Sequence, residues 1–164
     1  NVALTQDWHP RDHVSFASNH AGKQPFQTIE LDYGTQVLWP AHCVQGTSGA
    51  EFHRDLDVVK ASLVVRKGFR RGIDSYSALF ENDHQTPTGL LGYLRERELK
   101  TVFVAGLALD FCVRFSAEDA RKAGLQVAVI EDACRGIDLD GSVAAAHRSF
   151  RDLGISVVSL EAFL

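Results

Sequence analysis

Two short stretches of this sequence carry side chains that could bind a metal ion together. Asp7-Trp8-His9 places a carboxylate and an imidazole two residues apart at the end of an extended segment, so both point to the same side. His42 follows a stiff Trp39-Pro40 pair and is the third candidate ligand. One aspartate with two histidines suits zinc, iron or manganese. The alternative is a surface pair that binds no ion.

The other histidines divide into one further candidate and a group with no expected role. His13 is a possible fourth ligand and is equally well explained as an exposed loop histidine, while Glu30 is a weaker candidate. We expect the remaining ones to be solvated or locally hydrogen-bonded: His20, His53, His84 and His147.

A cysteine with the surroundings of a nucleophile lies in the second half of the chain. Gly106-Leu-Ala-Leu-Asp-Phe-Cys-Val113 follows an apolar strand and opens a helix. A thiol at a helix N-terminus feels the positive end of the dipole, which favours the thiolate, and backbone N–H groups there can bind an oxyanion. Cys112 therefore suits acyl transfer. The alternative, an inert small hydrophobic residue, is the interpretation we give to Cys43 and Cys134.

A lysine stands where parallel sheets place their functional sites. Lys67 ends the β-branched run that starts at Ser62, so it lies at the carboxyl edge of a predicted strand. It could lower the pKa of a nearby thiol or stabilise an oxyanion. The alternative is a strand-end lysine that reaches solvent.

Alternating strands and helices must position these groups. Thr101 to Gly106 is a near-continuous apolar run, which predicts a strand buried on both faces. Short crossovers between successive strands predict an α/β fold, a three-layer sandwich with a parallel sheet and helices on both faces. The predicted strands are 1–7, 62–67, 101–106, 125–130 and 155–159, and the predicted helices are 88–98, 112–123 and 142–153.

Length and order predict a single domain over residues 1–164, with residues 8–38 as an irregular excursion that carries the metal site. The chain begins inside a predicted strand, whereas parallel α/β domains commonly open with a strand and a crossover helix. We therefore expect the domain to be incomplete at its N-terminus, with its first strand and helix absent from these residues.

The composition excludes several classes of partner. A net charge of −4 and a pI of about 6.0 provide no basic surplus for nucleic acid or an anionic membrane. No apolar run is long enough to span a bilayer, and the first residues lack a signal peptide's pattern. Three cysteines cannot all pair with one another, which favours reduced thiols and a cytoplasmic location.

Six motifs, taken in order and spacing, resemble the nicotinamidases of the isochorismatase-like cysteine hydrolases over essentially the whole chain. They are Thr5-Gln-Asp-Trp-His-Pro10, Ser15-Phe-Ala-Ser-Asn-His20, Leu38-Trp-Pro-Ala-His-Cys-Val-Gln-Gly-Thr47, Arg66-Lys-Gly68, Asp74-Ser-Tyr-Ser-Ala-Leu-Phe80 and Gly106-Leu-Ala-Leu-Asp-Phe-Cys-Val113.

The resemblance implies a metal-assisted amidase. Asp7, His9 and His42 would bind a divalent ion, zinc before iron or manganese, and the pyridine nitrogen of nicotinamide would approach that ion. Trp39 and Tyr76 would line the aromatic pocket, unless they are ordinary core aromatics. Pyrazinamide is implied as a surrogate substrate, and pyridine nucleotide salvage for NAD synthesis as the setting.

The resemblance also implies the covalent steps. Cys112 would attack the carboxamide, ammonia would leave, and water would hydrolyse the thioester to nicotinate. Lys67 would belong to the catalytic triad. The N–H groups of Ala108 and Cys112 would form the oxyanion hole, with a non-proline cis peptide expected at Leu107–Ala108.

The family's third triad member has no counterpart in these residues. It is an aspartate at the end of the family's first strand that serves as general base and acid; Asp110 lies beside the nucleophile and is not its equivalent. The aspartate would then lie in an omitted N-terminal segment or in a separate cleaved chain, or else the chain is a truncated product that does not fold.

Two other functional interpretations stay open at this point. One is a different amidase of the same superfamily, acting on carbamoyl or ureido compounds. The other is a catalytically inactive metal-binding or interaction module. Whether the protein forms a homo-oligomer also stays open, because the sequence shows no exposed apolar stripe that could be assigned to an interface.

Overall fold

The computed structural model describes residues 1–163, which form two compact units. The first comprises residues 1–75 and 81–88, and the second comprises residues 76–80 and those from 89 onward. Across the described part of the chain, no helix is long and apolar enough to cross a membrane.

A parallel strand pair forms the centre of the first unit. Strand β1 (Ala3–Asp7) pairs with β4 (Leu63–Lys67) in register, so that Asp7 lies directly opposite Lys67. Both strands were predicted from their apolar, β-branched sequences, and both end at a residue with a candidate function. The carboxyl edge of this pair therefore brings two of the predicted site residues side by side.

The excursion over residues 8–38 is more regular than predicted. It contains an antiparallel hairpin of β2 (Thr28–Leu31) and β3 (Gly34–Val37), joined by the two residues 32 and 33. Each strand has only four residues, too few for an alternating pattern to stand out among the polar side chains. A single turn of 3₁₀ helix, Ala17–Asn19, precedes the hairpin.

The second unit is built on a three-stranded parallel sheet. Its strands lie in the order β5 (Thr101–Leu107), β6 (Gln126–Arg135) and β7 (Ser156–Val158). Helices α1 (Leu90–Glu96), α2 (Arg114–Lys122) and α3 (Ser142–Leu153) alternate with them along the chain. The predicted α/β class and parallel pairing are confirmed; the single-domain assignment stays a prediction.

Strand β5 is not buried on both faces, so that prediction was wrong. Exposure alternates along the strand, and the side chains of Phe103 and Leu107 are 54% and 73% exposed. An apolar sequence shows that a side chain would gain from burial. Covering elements must supply the burial, and the described residues supply them on one face only.

The helix predicted from Cys112 has a different beginning. Residues Leu109–Val113 form a π-helical turn, in which the Val113 amide donates to the Ala108 carbonyl, and α2 starts only at Arg114. The Leu107–Ala108 peptide bond is cis, as predicted. The candidate nucleophile therefore lies inside a wide turn between β5 and α2.

Candidate active site

The ends of β1 and β4 hold an aspartate and a buried lysine in direct contact. Lys67 is 3% exposed, and its ammonium donates to Asp7 Oδ1 at 2.6 Å and to the Ser75 carbonyl at 2.8 Å. The alternative of a lysine that reaches solvent is therefore wrong. The second oxygen, Asp7 Oδ2, lies 4.0 Å from His9 Nε2. The carboxylate thus contacts an ammonium on one side and faces an imidazole on the other.

The ring of His9 is fixed by the backbone of the residue after β4. His9 is 2% exposed, and its Nδ1 lies 2.8 Å from the Gly68 carbonyl. Because a carbonyl only accepts, Nδ1 carries the proton and Nε2 presents its lone pair. A Cβ on Gly68 would lie 2.3 Å from a carbon of this ring, and the φ of Gly68 is +63°, so only glycine fits here.

His42 is held in the same way from another segment. Its Nδ1 donates a hydrogen bond to the Pro40 carbonyl at 2.8 Å. The lone pair of Nε2 is then available to bind a metal ion. The His9 and His42 rings lie 4.9 Å apart, and one ligand atom each from Asp7, His9 and His42 falls within 4.8 Å of the others. Metal-binding histidines ordinarily have their second nitrogen tied in this manner, so this donor set fits a divalent ion.

His13 lies against the set but uses both of its nitrogens. It is fully buried, so its interpretation as an exposed loop histidine was wrong. Its Nε2 donates to the Ile73 carbonyl at 3.1 Å, and its Nδ1 therefore accepts from the Ser15 hydroxyl at 2.7 Å. His9, His13 and Asp74 also lie close enough to share an ion. The occupied nitrogens make this second set the poorer one.

Burial and neighbouring charges keep Asp7 and His9 in their metal-binding protonation states. Burial raises the pKa of Asp7, but Lys67 and the two nearby histidines more than offset it, so the pKa lies below its ordinary value. Burial lowers the pKa of His9 to about 4, with His13 and His42 acting in the same direction against Asp74 and Asp7. At neutral pH the site therefore presents a carboxylate and a neutral imidazole.

The remaining ligand candidates lie elsewhere. Glu30 is exposed on the hairpin and accepts from the Thr35 hydroxyl. His20 donates to the Val14 carbonyl, and His147 lies 3.2 Å from Glu131. A local hydrogen bond therefore accounts for His20, as predicted, and His147 lies beside a carboxylate.

In the second unit, the half-buried Cys112 lies in the turn after β5. Ala108 precedes the turn, and its carbonyl accepts from the amides of Phe111 and Val113. Tyr76 packs against Phe111, with ring centroids 5.6 Å apart. The proposed pocket tyrosine therefore packs against the residue directly before Cys112.

The other aromatic residue and the other thiols have simpler surroundings. Trp39, in the first unit, is 8% exposed and meets the Phe26 ring edge-on at 6.0 Å. Burial raises the pKa of the thiols of both Cys43 and Cys134, which suits inert cysteines.

The groups that surround the ligands were not predicted from the sequence. The Gly68 carbonyl orients His9, and the buried Asp74 carboxylate accepts from Gln36 at 3.0 Å and from the Ser75 amide. Both lie in motifs quoted above, Arg66-Lys-Gly68 and Asp74 to Phe80. A glycine directly after a candidate catalytic lysine was the available signal.

Comparison with known proteins places this geometry in a family. The model of the isochorismatase domain matches residues 15–162. A nicotinamidase of Acinetobacter baylyi is 57% identical over 158 residues, which cover 96% of this chain and 74% of that protein.

Solved structures agree with this match. A nicotinamidase/pyrazinamidase of Acinetobacter baumannii is 58% identical with a TM-score of 0.98, covering all of this chain and 79% of that one. A Pyrococcus horikoshii pyrazinamidase solved in complex with zinc is 31% identical, with a TM-score of 0.73, covering 96% of this chain and 74% of that one.

Proposed function

This chain belongs to the isochorismatase family, and from that membership we propose that it is an amidase that hydrolyses nicotinamide to nicotinate and ammonia. Pyrazinamide, which carries the same carboxamide on a related ring, is the proposed second substrate. The observation that carries the proposal is the donor set of Asp7, His9 and His42, whose two imidazoles are both fixed through Nδ1.

The donor set is the part that distinguishes nicotinamide from other amides. A divalent ion bound there would act as a Lewis acid toward the pyridine nitrogen and so orient the ring. Zinc suits one carboxylate with two imidazoles, and a relative was solved with zinc, so zinc is the proposed ion. A carbamoyl or ureido substrate has no ring nitrogen for such a site to bind.

We assign the covalent steps to Cys112. Its thiolate attacks the carboxamide carbon, the C–N bond breaks, and ammonia leaves with a transferred proton. Water then attacks the thioester, which releases nicotinate and restores the thiol. The Ala108 and Cys112 amides are the proposed donors to the oxyanion in both steps.

Lys67 is the proposed electrostatic partner in this chemistry. It is buried and charged, and the Asp7 carboxylate and the Ser75 carbonyl hold its ammonium in place. A fixed positive charge stabilises negative charge as it develops on sulfur or oxygen. Trp39 and Tyr76 are proposed as walls of the ring's pocket.

The proposed setting is the cytoplasm, where the three cysteines would stay reduced. Nicotinamide recycling for NAD synthesis is the role that this activity would serve there.

The test measures ammonia and nicotinate together from the zinc-loaded full-length protein. We expect equimolar release from nicotinamide, loss of release in Cys112→Ala, and unchanged release in the matched variant Cys134→Ala. A ureido substrate turned over faster than nicotinamide would favour the other amidase interpretation. No Cys112-dependent turnover of any amide would favour an inactive module.

A further inference from the structure

Asp110 is a buried carboxylate two residues before the proposed nucleophile. It lies in the π-helical turn Leu109–Val113 and is 1% exposed. A carboxylate removed from water costs free energy unless donors replace its hydration. Hydrogen-bond donors around Asp110 must therefore offset the cost of burying its carboxylate.

Three donors from one other segment satisfy the Asp110 carboxylate. Oδ1 accepts from the Ile137 amide at 3.0 Å, and Oδ2 accepts from the Asp138 amide at 2.8 Å and from the Ser142 hydroxyl at 2.5 Å. Burial raises the pKa of Asp110, but these hydrogen bonds outweigh it, so the pKa lies below its ordinary value. The carboxylate is ionised and fully engaged, which makes it a poor proton acceptor.

The segment that it binds joins β6 to α3 and is closely fitted. Asp138 and Asp140 both have positive φ, 58° and 51°, a conformation that costs a non-glycine residue of order 1 kcal/mol. A Cβ on Gly136 would lie 2.4 Å from the Val143 side chain. The hydrogen bonds to Asp110 hold this segment against the turn.

We propose that Asp110 is a positioning residue for Cys112: it clamps the nucleophile's turn to the segment between β6 and α3. This inference rests on the proposed function, which assigns the chemistry to Cys112. The register of β5 and β6 already fixes the start of the turn, because Leu107 pairs with Arg135. Asp110 adds a second anchor next to the nucleophile itself.

The test compares three variants of the zinc-loaded full-length protein. Asp110→Asn keeps the shape but places an NH₂ group against N–H and O–H donors. Ser142→Ala removes one hydrogen bond and keeps the carboxylate. Glu118→Gln is the matched control, since Glu118 is a buried carboxylate of α2 that accepts from Arg114 and from Ser149 of α3.

We expect Asp110→Asn to lower kcat by about tenfold to a hundredfold with KM changed less than about twofold, because small misplacements of a reacting atom have effects of this size. Ser142→Ala should lower kcat severalfold. Glu118→Gln should lower the melting temperature and leave kcat unchanged. Equal loss of kcat in Glu118→Gln, or an unchanged kcat in Ser142→Ala, would overturn the inference, and Ser142→Ala decides if Asp110→Asn does not fold.

Alkylation of Cys112 by iodoacetamide across pH gives a second readout, which needs no substrate. Loss of a negative charge alone would move the midpoint of the rate profile to lower pH. Loss of the turn's geometry would move it to higher pH, which is the expected result for Asp110→Asn. A shift to lower pH would contradict the inference. If the wild type does not hydrolyse nicotinamide, the proposed function fails, while the alkylation profile still decides whether Asp110 positions the thiol.

Discussion

Lys67 Nζ lies 2.6 Å from Asp7 Oδ1, at the in-register ends of two parallel strands. One carboxylate therefore has two neighbours: Oδ1 accepts a hydrogen bond from the lysine, and Oδ2 faces the Nε2 atom of His9. The lysine orients the proposed metal ligand, and the carboxylate fixes the proposed catalytic charge. Neither residue can be altered without affecting the other.

Replacing Lys67 by methionine should therefore cost both activity and stability. The buried side of Asp7 would lose its charged partner, and breaking a buried pair on one side typically costs about 3–5 kcal/mol. We expect unfolding by urea at a lower concentration and at least a hundredfold less ammonia release. Lys60→Met is the control, because Lys60 is exposed and lies 3.5 Å from Asp57. Wild-type unfolding in Lys67→Met would contradict the pairing.

The donor set should bind one divalent ion per chain. Zinc titration followed by calorimetry should give one site in the wild type, and a His42→Ala variant should bind at least tenfold more weakly because it loses one ligand. His20→Ala is the matched control, since His20 donates to a backbone carbonyl outside the set. Equal zinc affinity in the wild type and His42→Ala would exclude His42 as a ligand.

Gly68→Ala should abolish tight zinc binding through the His9 ring. The added Cβ would meet that ring at 2.3 Å, so His9 would have to move away from Asp7 and His42. Two glycine controls separate the contact with His9 from the effects of an added methyl group and of a positive φ. Gly72→Ala adds a methyl group in open space, and Gly46→Ala adds one in open space at a φ of +72°. Zinc affinity in Gly68→Ala equal to that in Gly46→Ala would show that the close approach to His9 does not matter.

Acid should destabilise the metal-free protein through His9. Its pKa is lowered to about 4 in the fold from an ordinary value of 6.5, so the folded and unfolded states differ in protons bound mainly between these two pH values. As pH falls from 6.5 toward 4, the unfolded chain gains the proton first, and the free energy of unfolding falls by up to about 3 kcal/mol. Urea unfolding against pH in the presence of a chelator measures this.

Two glutamine variants test the pH prediction, one at His9 and a control at His53. In His9→Gln, the free energy of unfolding should fall less between pH 6.5 and 4, because about one fewer proton is taken up on unfolding. His53→Gln is the matched control, made at a histidine whose side chain is 77% exposed. A steeper profile in His9→Gln would mean that His9 does not titrate as its surroundings indicate.

The sequence predicted the ends of β1 and β4, each of which closes on a charged candidate residue, whereas β6 continues to Arg135, five residues beyond its predicted end. The strands end at Asp7 and Lys67, and strands that are parallel neighbours bring such ends to one edge. Helix α3 was predicted over its full length, since its apolar stripe is regular and a glycine follows it. These features depend on local pattern alone.

Features that depend on distant partners were missed or misjudged. The burial of His13 requires Ser15 and the carbonyl of Ile73, which lies sixty residues away in the chain. The exposure of Phe103 depends on which elements cover β5. The role of Asp110 depends on a segment that lies after the next strand. No periodicity within one element can reveal a contact between two.

The most direct test of Cys112 as the nucleophile is mass spectrometry of the full-length protein quenched during turnover of nicotinamide. We expect a mass increase of one nicotinoyl group, located on the peptide that contains Cys112 and lost in Cys112→Ala. Rapid turnover with no acylated protein, or a nicotinoyl group on Cys43 or Cys134, would contradict it.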